Sequence, residues 1–506
     1  MSGDASHAGP KANATAVAVP FAAIVLAMLP AVLDQTILAT ALPVVASDLG
    51  SLGDVAWVVT AYVVAAAAAT PLWGKLGDRH GRKLLLQVSL ALFVVASALC
   101  GAAQGITQLV ALRFVQGAAA GGLMTLAMAA VGDLVAPRER GRYQGYIAAA
   151  FAAATVVGPL LGGMLTEHAS WRFVFFVNLP LGAAALIGLG LRLPGPPVER
   201  PERPLDVWGA VLLSGATSAF MMICIWGGER YAWGSTPTLA LIAATVALSG
   251  ALVVQERRAA DPIVPFQLLR TRAVAVASAA LFLALAALFA ITVFVPLFLQ
   301  TTTGATPTEA GLLLIPAMLA ITVSTTVSGR LIARTGRYKR FPIMGLALMS
   351  AALVMLAALA SQTSRVATGV ALAVFGLGFG MVTQILVVAV QNSVERRELG
   401  IATAVTGFFR ALGGAVGAAL LGAVFAARTG THASEVAASA LRSDVIDGVQ
   451  TVFLLAAPLA AVALVTVLYL PELPLKTRAG VDRQFEQRGR AHERALRPGL
   501  AINRNG

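Results

Sequence analysis

Asp34 sits inside an apolar run that extends from Ala18 to Leu42. A carboxylate at the depth of a lipid bilayer is costly unless it is paired, hydrated or protonated. The chemistry open to it is proton carriage, neutralisation of a cationic ligand, or both. No other carboxylate lies well inside an apolar run, but two arginines do, Arg113 and Arg410. At 1.5 Å per residue, Asp34 lies roughly 12 Å and Arg113 roughly 9 Å from the same end of their segments. A direct or water-bridged pair is therefore feasible, although an Arg at that depth can also snorkel to the nearer interface. Arg410 lies about 18 Å into its segment, so it must face protein or water, either braced there or binding a ligand. An apolar surround favours the protonated acid at Asp34, whereas a close guanidinium favours the carboxylate. A contact made in only one conformational state would couple proton release to motion.

The elements that hold these residues are membrane spans. Of 506 residues, 58% are hydrophobic and 12% charged, with mean hydropathy +0.80. A soluble domain carries about 25% charged residues. Apolar runs long enough to cross about 30 Å fall near 18–42, 54–74, 83–103, 107–132, 141–165, 171–193, 206–227, 237–255, 273–300, 309–333, 341–360, 366–391, 399–426 and 450–470. They must be helices, because a lipid-facing backbone has to satisfy its own hydrogen bonds. The expected fold is all-α and polytopic, with fourteen spans, numbered here in chain order.

With the N-terminus inside, 30 of the 37 Lys and Arg fall on the inner side. Five fall outside, namely Arg172, Arg230, Arg365, Arg428 and Arg442. This bias follows the positive-inside rule and puts both termini in the cytoplasm. It also accounts for the net charge of +13 without nucleic acid. The first sixteen residues lack the apolar run and cleavage site of a signal peptide, so none is expected. Cys100 and Cys224 lie in apolar runs and point to neither a disulfide framework nor a metal site.

The loop after span 2 reads Gly74-Lys75-Leu76-Gly77-Asp78-Arg79-His80-Gly81-Arg82-Lys83, and that after span 10 reads Gly329-Arg330-Leu331-Ile332-Ala333-Arg334-Thr335-Gly336-Arg337. Gly, basic, Leu, Arg, Gly and Arg recur at the same offsets, eight spans apart. Two six-helix halves with two inserted helices give that separation. The expected organisation is a tail at 1–17, a half at 18–193, the insert with its linkers at 194–272, a half at 273–471 and a basic tail at 472–506. Paired halves are a transporter signature, with the ligand site between them. Asp78 is matched by Ala333, and neither Asp34 nor Arg113 has a counterpart in the second half, so the ionisable chemistry is concentrated in the first.

These motifs together resemble the major facilitator superfamily, in its fourteen-helix drug:proton antiporter branch. The 74–83 loop is similar to that superfamily's signature between helices 2 and 3. The resemblance implies a conformational latch of Gly74, Asp78, Arg79, Gly81 and Arg82. In it Asp78 faces the start of span 13 and Arg82 pairs with Asp133. Leu109 to Gly117 resembles the intramembrane Arg motif, implying proton coupling by Arg113 and Gln116 with Asp34. Gly158-Pro159-Leu160-Leu161-Gly162-Gly163 resembles the antiporter motif, implying a hinge or a tight seam that prevents leak. Gly158 and Gly162 lie on one side of their helix, where another helix can approach closely. Further matches are Leu33-Asp34-Gln35-Thr36 through Pro43, Trp171-Arg172-Phe173, Asn178-Leu179-Pro180, Phe298-Leu299-Gln300 and Arg410-Ala411-Leu412-Gly413-Gly414.

The expected activity is proton-coupled efflux of lipophilic monovalent cationic or neutral drugs across the cytoplasmic membrane, by a monomer with no cofactor beyond the proton gradient. A single carboxylate suits monovalent cations better than dications. Candidate ligand contacts are Asp34, Gln35, Tyr62, Phe151, Phe294, Phe298, Gln300 and Arg410. The alternative is a dedicated exporter of one natural product or lipid. A membrane enzyme is disfavoured, because His7, His80, His168, His432 and His492 all lie in loops or tails. An ATP-driven pump is disfavoured by the lack of a phosphate-cradling glycine loop.

Overall fold

The computed structural model describes residues 10–49, 52–193, 204–228, 230–303, 309, 312–360, 364–429 and 442–475. The basic tail lies outside the described residues from 476 onward. Among the described residues, fourteen helical segments are long and apolar enough to cross a membrane. Spans 1–6 are Val17–Leu49, Trp57–His80, Arg82–Gly101, Ile106–Leu134, Pro137–His168 and Phe173–Arg192. Spans 7 and 8 are Val207–Trp226 and Thr236–Arg258. Spans 9–14 are Arg272–Gln300, Ile315–Thr335, Arg340–Leu359, Arg365–Ser393, Arg396–Thr429 and Ser443–Leu468.

Local chemistry sets the ends. Pro137 opens span 5, where its missing N–H costs nothing. The Asp206 carboxylate accepts from the Gly209 N–H and caps span 7. Gly336, at φ 72°, ends span 10 in the left-handed conformation. Several boundaries differ from expectation, among them the end of span 2, at His80 rather than 74, and the start of span 14, at Ser443 rather than 450. Span 1 continues through Pro43 to Leu49, because its last turn is held from outside. There the Asp48 carboxylate accepts from Trp171 Nε1 at 2.8 Å and Arg172 Nη1 at 3.1 Å. Span 10 begins as a continuous helix only at Ile315, with Pro316 in its first turn. Span 6 is interrupted at Val177 and span 12 at Met381 and Val382. Span 9 carries a π-helical turn over Ala290–Phe294.

Buried apolar side chains of spans 1–6 form two clusters, around Leu123 and around Ile37. Those of spans 9–14 form one large cluster that includes Phe294, Leu353 and Phe425. Spans 7 and 8 pack on each other, and span 7 also packs on span 2. The connection after span 8 inserts Ile263 among Leu72, Leu213, Leu252 and Phe408.

The two groups of six meet along two seams, span 2 with span 13 and span 5 with span 10. A Cβ on Gly74 would press on Ala404 and on the Gly400 carbonyl, and a Cβ on Gly329 would run into the Gly141 backbone. Gly74 and Gly329 occupy the same offset of the repeat, so one motif makes both seams. Gly81 and Gly336 repeat the relation, with φ of 90° and 72°, a conformation in which glycine carries no steric penalty.

Candidate functional site

Asp34 is completely buried. Its Oδ2 accepts from Arg113 Nη1 at 2.5 Å. Its Oδ1 accepts from Gln116 Nε2 at 2.8 Å and from Asn178 Nδ2 at 3.3 Å. Arg113 also donates to Gln116 Oε1 at 2.7 Å and to the Val58 carbonyl at 3.2 Å. Its guanidinium lies over the Tyr62 ring, 4.2 Å from the centroid, a placement that helps stabilise a buried cation. Tyr62 in turn donates to the Ala31 carbonyl of span 1. The ion pair is thus enclosed by spans 1, 2, 4 and 6 rather than snorkelling to an interface.

Three partners in this cluster were not expected at the ion pair, although Asn178 belongs to one of the motifs that resemble the superfamily. Asn178 also donates to Ser97 Oγ at 2.9 Å, and Ser97 donates to the Phe175 carbonyl. Cys100 Sγ lies 3.6 Å from Gln116 Oε1. The signal available in the sequence was a polar residue within each of two apolar runs, Ser97 in span 3 and Asn178 in span 6.

The antiporter-like motif backs this cluster. Side chains at Gly158 and Gly162 would collide with Thr36, Ile37 and Thr40 of span 1, on the stretch that follows Asp34. Gly163 has open space around it, and Pro159 is exposed. The close seam therefore rests on Gly158 and Gly162 only.

At the basic-loop end the Asp78 carboxylate accepts from the backbone N–H groups of Gly400 at 2.8 Å and Ile401 at 2.7 Å. These are the free donors of the first turn of span 13, where helix geometry favours negative charge. Arg82 pairs with Asp78 at 2.5 Å and also with Asp133. Arg396, in the short 3-10 turn that opens span 13, pairs with Asp133 at 3.1 Å. Arg79 points elsewhere and meets Asp261 at 3.1 Å, beside Lys75, which pairs with the same carboxylate. Gly81 touches none of these groups and supplies the turn between spans 2 and 3. In the second copy, Arg138 donates to the carbonyls of Ala333 at 2.7 Å and Arg334 at 2.9 Å. A main-chain carbonyl at Ala333 thus takes a donor from the facing helix where Asp78 uses its side chain.

Between the groups of six lies a cavity lined by Met28, Met124, Met128, Phe151, Gln384 and Arg410, with Thr and Val around them. Its room for water-sized molecules is about 50 Å³, far below the roughly 300–1,000 Å³ of small-molecule sites. Gln391 crosses below it, donating to the Met128 carbonyl at 3.3 Å and to Thr403 Oγ1 at 3.1 Å. The cavity is therefore contracted and shut towards the basic-loop end. Of the expected ligand contacts, Phe151 and Arg410 line it. Asp34 and Tyr62 belong to the ion-pair cluster instead. Phe294 and Phe298 are buried in the core of spans 9–14, Phe294 against Phe425 with ring centroids 5.2 Å apart. Gln35 and Gln300 are exposed. Direct competition of proton and cation for Asp34 would need that carboxylate in the cavity wall, and it is not there.

Comparison with known proteins agrees with this architecture. Residues 24–418 match the Major Facilitator Superfamily. An uncharacterized MFS-type transporter of Mycobacterium tuberculosis is 38% identical over 406 residues, 80% of this chain and 59% of that protein. This chain thus spans under two thirds of that relative's length. Multidrug resistance protein 3 of Bacillus subtilis is 30% identical over 495 residues, 91% of this chain and 96% of that one. The structure of the proton:xylose symporter XylE superposes with a TM-score of 0.63 at 13% identity, covering 92% of this chain and 98% of that one. That likeness concerns the fold. The fourteen spans among the described residues agree with the helix number of the fourteen-helix drug-efflux branch, and the chain is a multi-pass membrane protein that belongs to the Major Facilitator Superfamily.

Proposed function

We propose that this transporter exports amphiphilic small molecules across the cytoplasmic membrane in exchange for protons, with the basic loops and both termini in the cytoplasm. The observation that carries the reading is the sealed Asp34–Arg113 pair at membrane depth. Protonating Asp34 removes the counter-charge of Arg113. The guanidinium would then be left with neutral acceptors in a dry site, and an uncompensated buried charge costs several kcal/mol. Relief comes from water or from new partners, and both require the enclosing spans to part. A proton arriving at Asp34 therefore pushes the protein out of the arrangement described here, and its departure allows the pair to close again. The latch at Asp78 and Arg82 and the bridge at Gln391 close the cytoplasmic end in this arrangement.

Coupling of this kind needs no shared contact between proton and substrate. It differs from competition at one carboxylate, because the ligand cavity and the proton site are separate. The test is transport by wild-type and Asp34→Asn protein in proteoliposomes with an imposed pH gradient. Asn keeps the shape and one acceptor oxygen, which can still serve Gln116 and Asn178, but cannot carry a proton. We expect pH-driven transport to fall to background in Asp34→Asn while downhill exchange persists. Wild-type rates of pH-driven transport in that variant would refute the role of Asp34.

A further inference from the structure

We infer that the ligand cavity selects amphiphilic organic anions, a carboxylate or sulfonate on an apolar body, through Arg410. The inference rests on the transport reading above and names the substrate class of that cavity. Arg410 lies well inside span 13 and lines the cavity. Among the described residues it has no ion-pair or hydrogen-bond partner. None of the residues lining the cavity is acidic. A guanidinium stays charged in proteins and presents a planar fork of donors that matches carboxylate geometry. A charge held in the membrane interior without a partner marks a ligand or ion pathway.

A second group points the same way. Gln384 lines the cavity from the facing side of the C-terminal spans, and its Oε1 is buried with no hydrogen-bond partner among the described residues. Buried polar atoms are almost always satisfied, so an orphan in a cavity wall is a place for a ligand or water. The rest of the wall is apolar and adaptable, with Met28, Met124, Met128 and Phe151. Methionine side chains repack around differently shaped apolar bodies at little cost. The cavity therefore joins one fixed cation to a deformable apolar surface. A lipophilic cation would meet the guanidinium with no acid to offset it.

The alternative is that Arg410 braces the interface. A brace would show partners, and removing it would destabilise the fold. A ligand-seeking guanidinium is buried at a cost in the empty protein, so its neutral replacement should be at least as stable. The experiment uses the full chain in phosphatidylcholine proteoliposomes with no pH gradient. Equilibrium binding is read for cholate, an amphiphilic carboxylate, and for tetraphenylphosphonium, a lipophilic cation. We expect wild type to bind cholate at least tenfold more tightly than tetraphenylphosphonium. Arg410→Gln should lower cholate affinity at least tenfold, leave the cation's affinity equal or higher, and melt no lower than wild type. Arg410→Lys, which keeps the charge, should retain cholate binding within a few fold and serves if the Gln variant does not fold. Preference for the cation in wild type, unchanged cholate binding in Arg410→Gln, or a lower melting temperature of that variant with unchanged affinity would each overturn the assignment. Because no gradient is applied, a failed proton-coupling test at Asp34 leaves this readout intact, and the two ideas fall separately.

Discussion

Asp78 closes the first turn of span 13 by accepting from the backbone N–H of Gly400 at 2.8 Å. One side chain of the first six spans thus completes a helix of the second six. Arg82 holds Asp78 in place and carries the connection on to Asp133 and Arg396. The latch is a relay of charge, in which each carboxylate answers to more than one donor.

Asp78→Asn should weaken the closed end. Hydrogen bonds to charged groups contribute about 1.5–3 kcal/mol each, and Asn can accept at only one of its two polar atoms. Spin labels on exposed Leu84 and Leu331 report the separation of the two groups of six at this end. A longer-distance population should appear in the variant and be nearly absent in wild type. Identical distance distributions would show that Asp78 does not hold the end shut.

Gly141→Val should be worse than Gly163→Val. The first places a branched side chain against the Gly329 backbone, whereas the second meets open space. Overpacking a tight contact costs roughly 1–3 kcal/mol. Thermal unfolding in detergent should fall for Gly141→Val and stay near wild type for Gly163→Val. Equal losses would mean the span 5–span 10 seam is looser than its geometry.

Arg113→Gln and Asp34→Asn should be strongly non-additive. Removing one partner of a buried ion pair costs about 3–5 kcal/mol, whereas removing both relieves the stranded charge. The double variant should therefore melt above Arg113→Gln alone. Additive losses would indicate that neither residue depends on the other for its burial.

Membrane voltage separates the substrate classes. Exchange of one proton for one monovalent cation moves no net charge. Exchange of one proton inward for one monovalent anion outward moves two charges in the same direction, each worth about 2.3 kcal/mol per 100 mV. Cholate export driven by a fixed pH gradient should rise several fold when the cytoplasmic side is made negative with valinomycin and potassium. A voltage-independent rate would contradict export of the anion against a proton.

The sequence made the ion pair legible because lipid leaves a charged residue few options. Asp34 and Arg113 had to find each other or water, and simple helix rise put them at one depth. The latch was legible through resemblance, since Asp78 and Arg82 stand in the loop that resembles that superfamily's signature and the resemblance implies Asp133 as the partner of Arg82. Arg79 was not, because a loop acid such as Asp261 looks like any other solvated charge until the chain folds back on span 2. The cavity wall was also hidden. In helices apolar on every face, periodicity does not separate a core-facing side from a cavity-facing one. Phe294 and Phe298 were therefore expected beside ligand yet lie in the core of spans 9–14, Phe294 against Phe425. Arg410 was visible as a charge, but its lack of a partner depends on which faces of spans 1, 4, 5 and 12 surround it.

The glycine seams carry one more consequence. Where Gly74 meets Gly400 and Gly141 meets Gly329, main chain lies against main chain. Such surfaces behave as bearings. Small side chains, such as Ala404 beside Gly74 and Thr326 beside Gly145, stand along these seams, so little would have to disengage and re-mesh in the opening proposed above. Resistance to such an opening would then be concentrated at the rim, in the donors held by Asp78 and in the carbonyls held by Arg138. A protein of this size can thus have its rocking stiffness set by a handful of polar atoms.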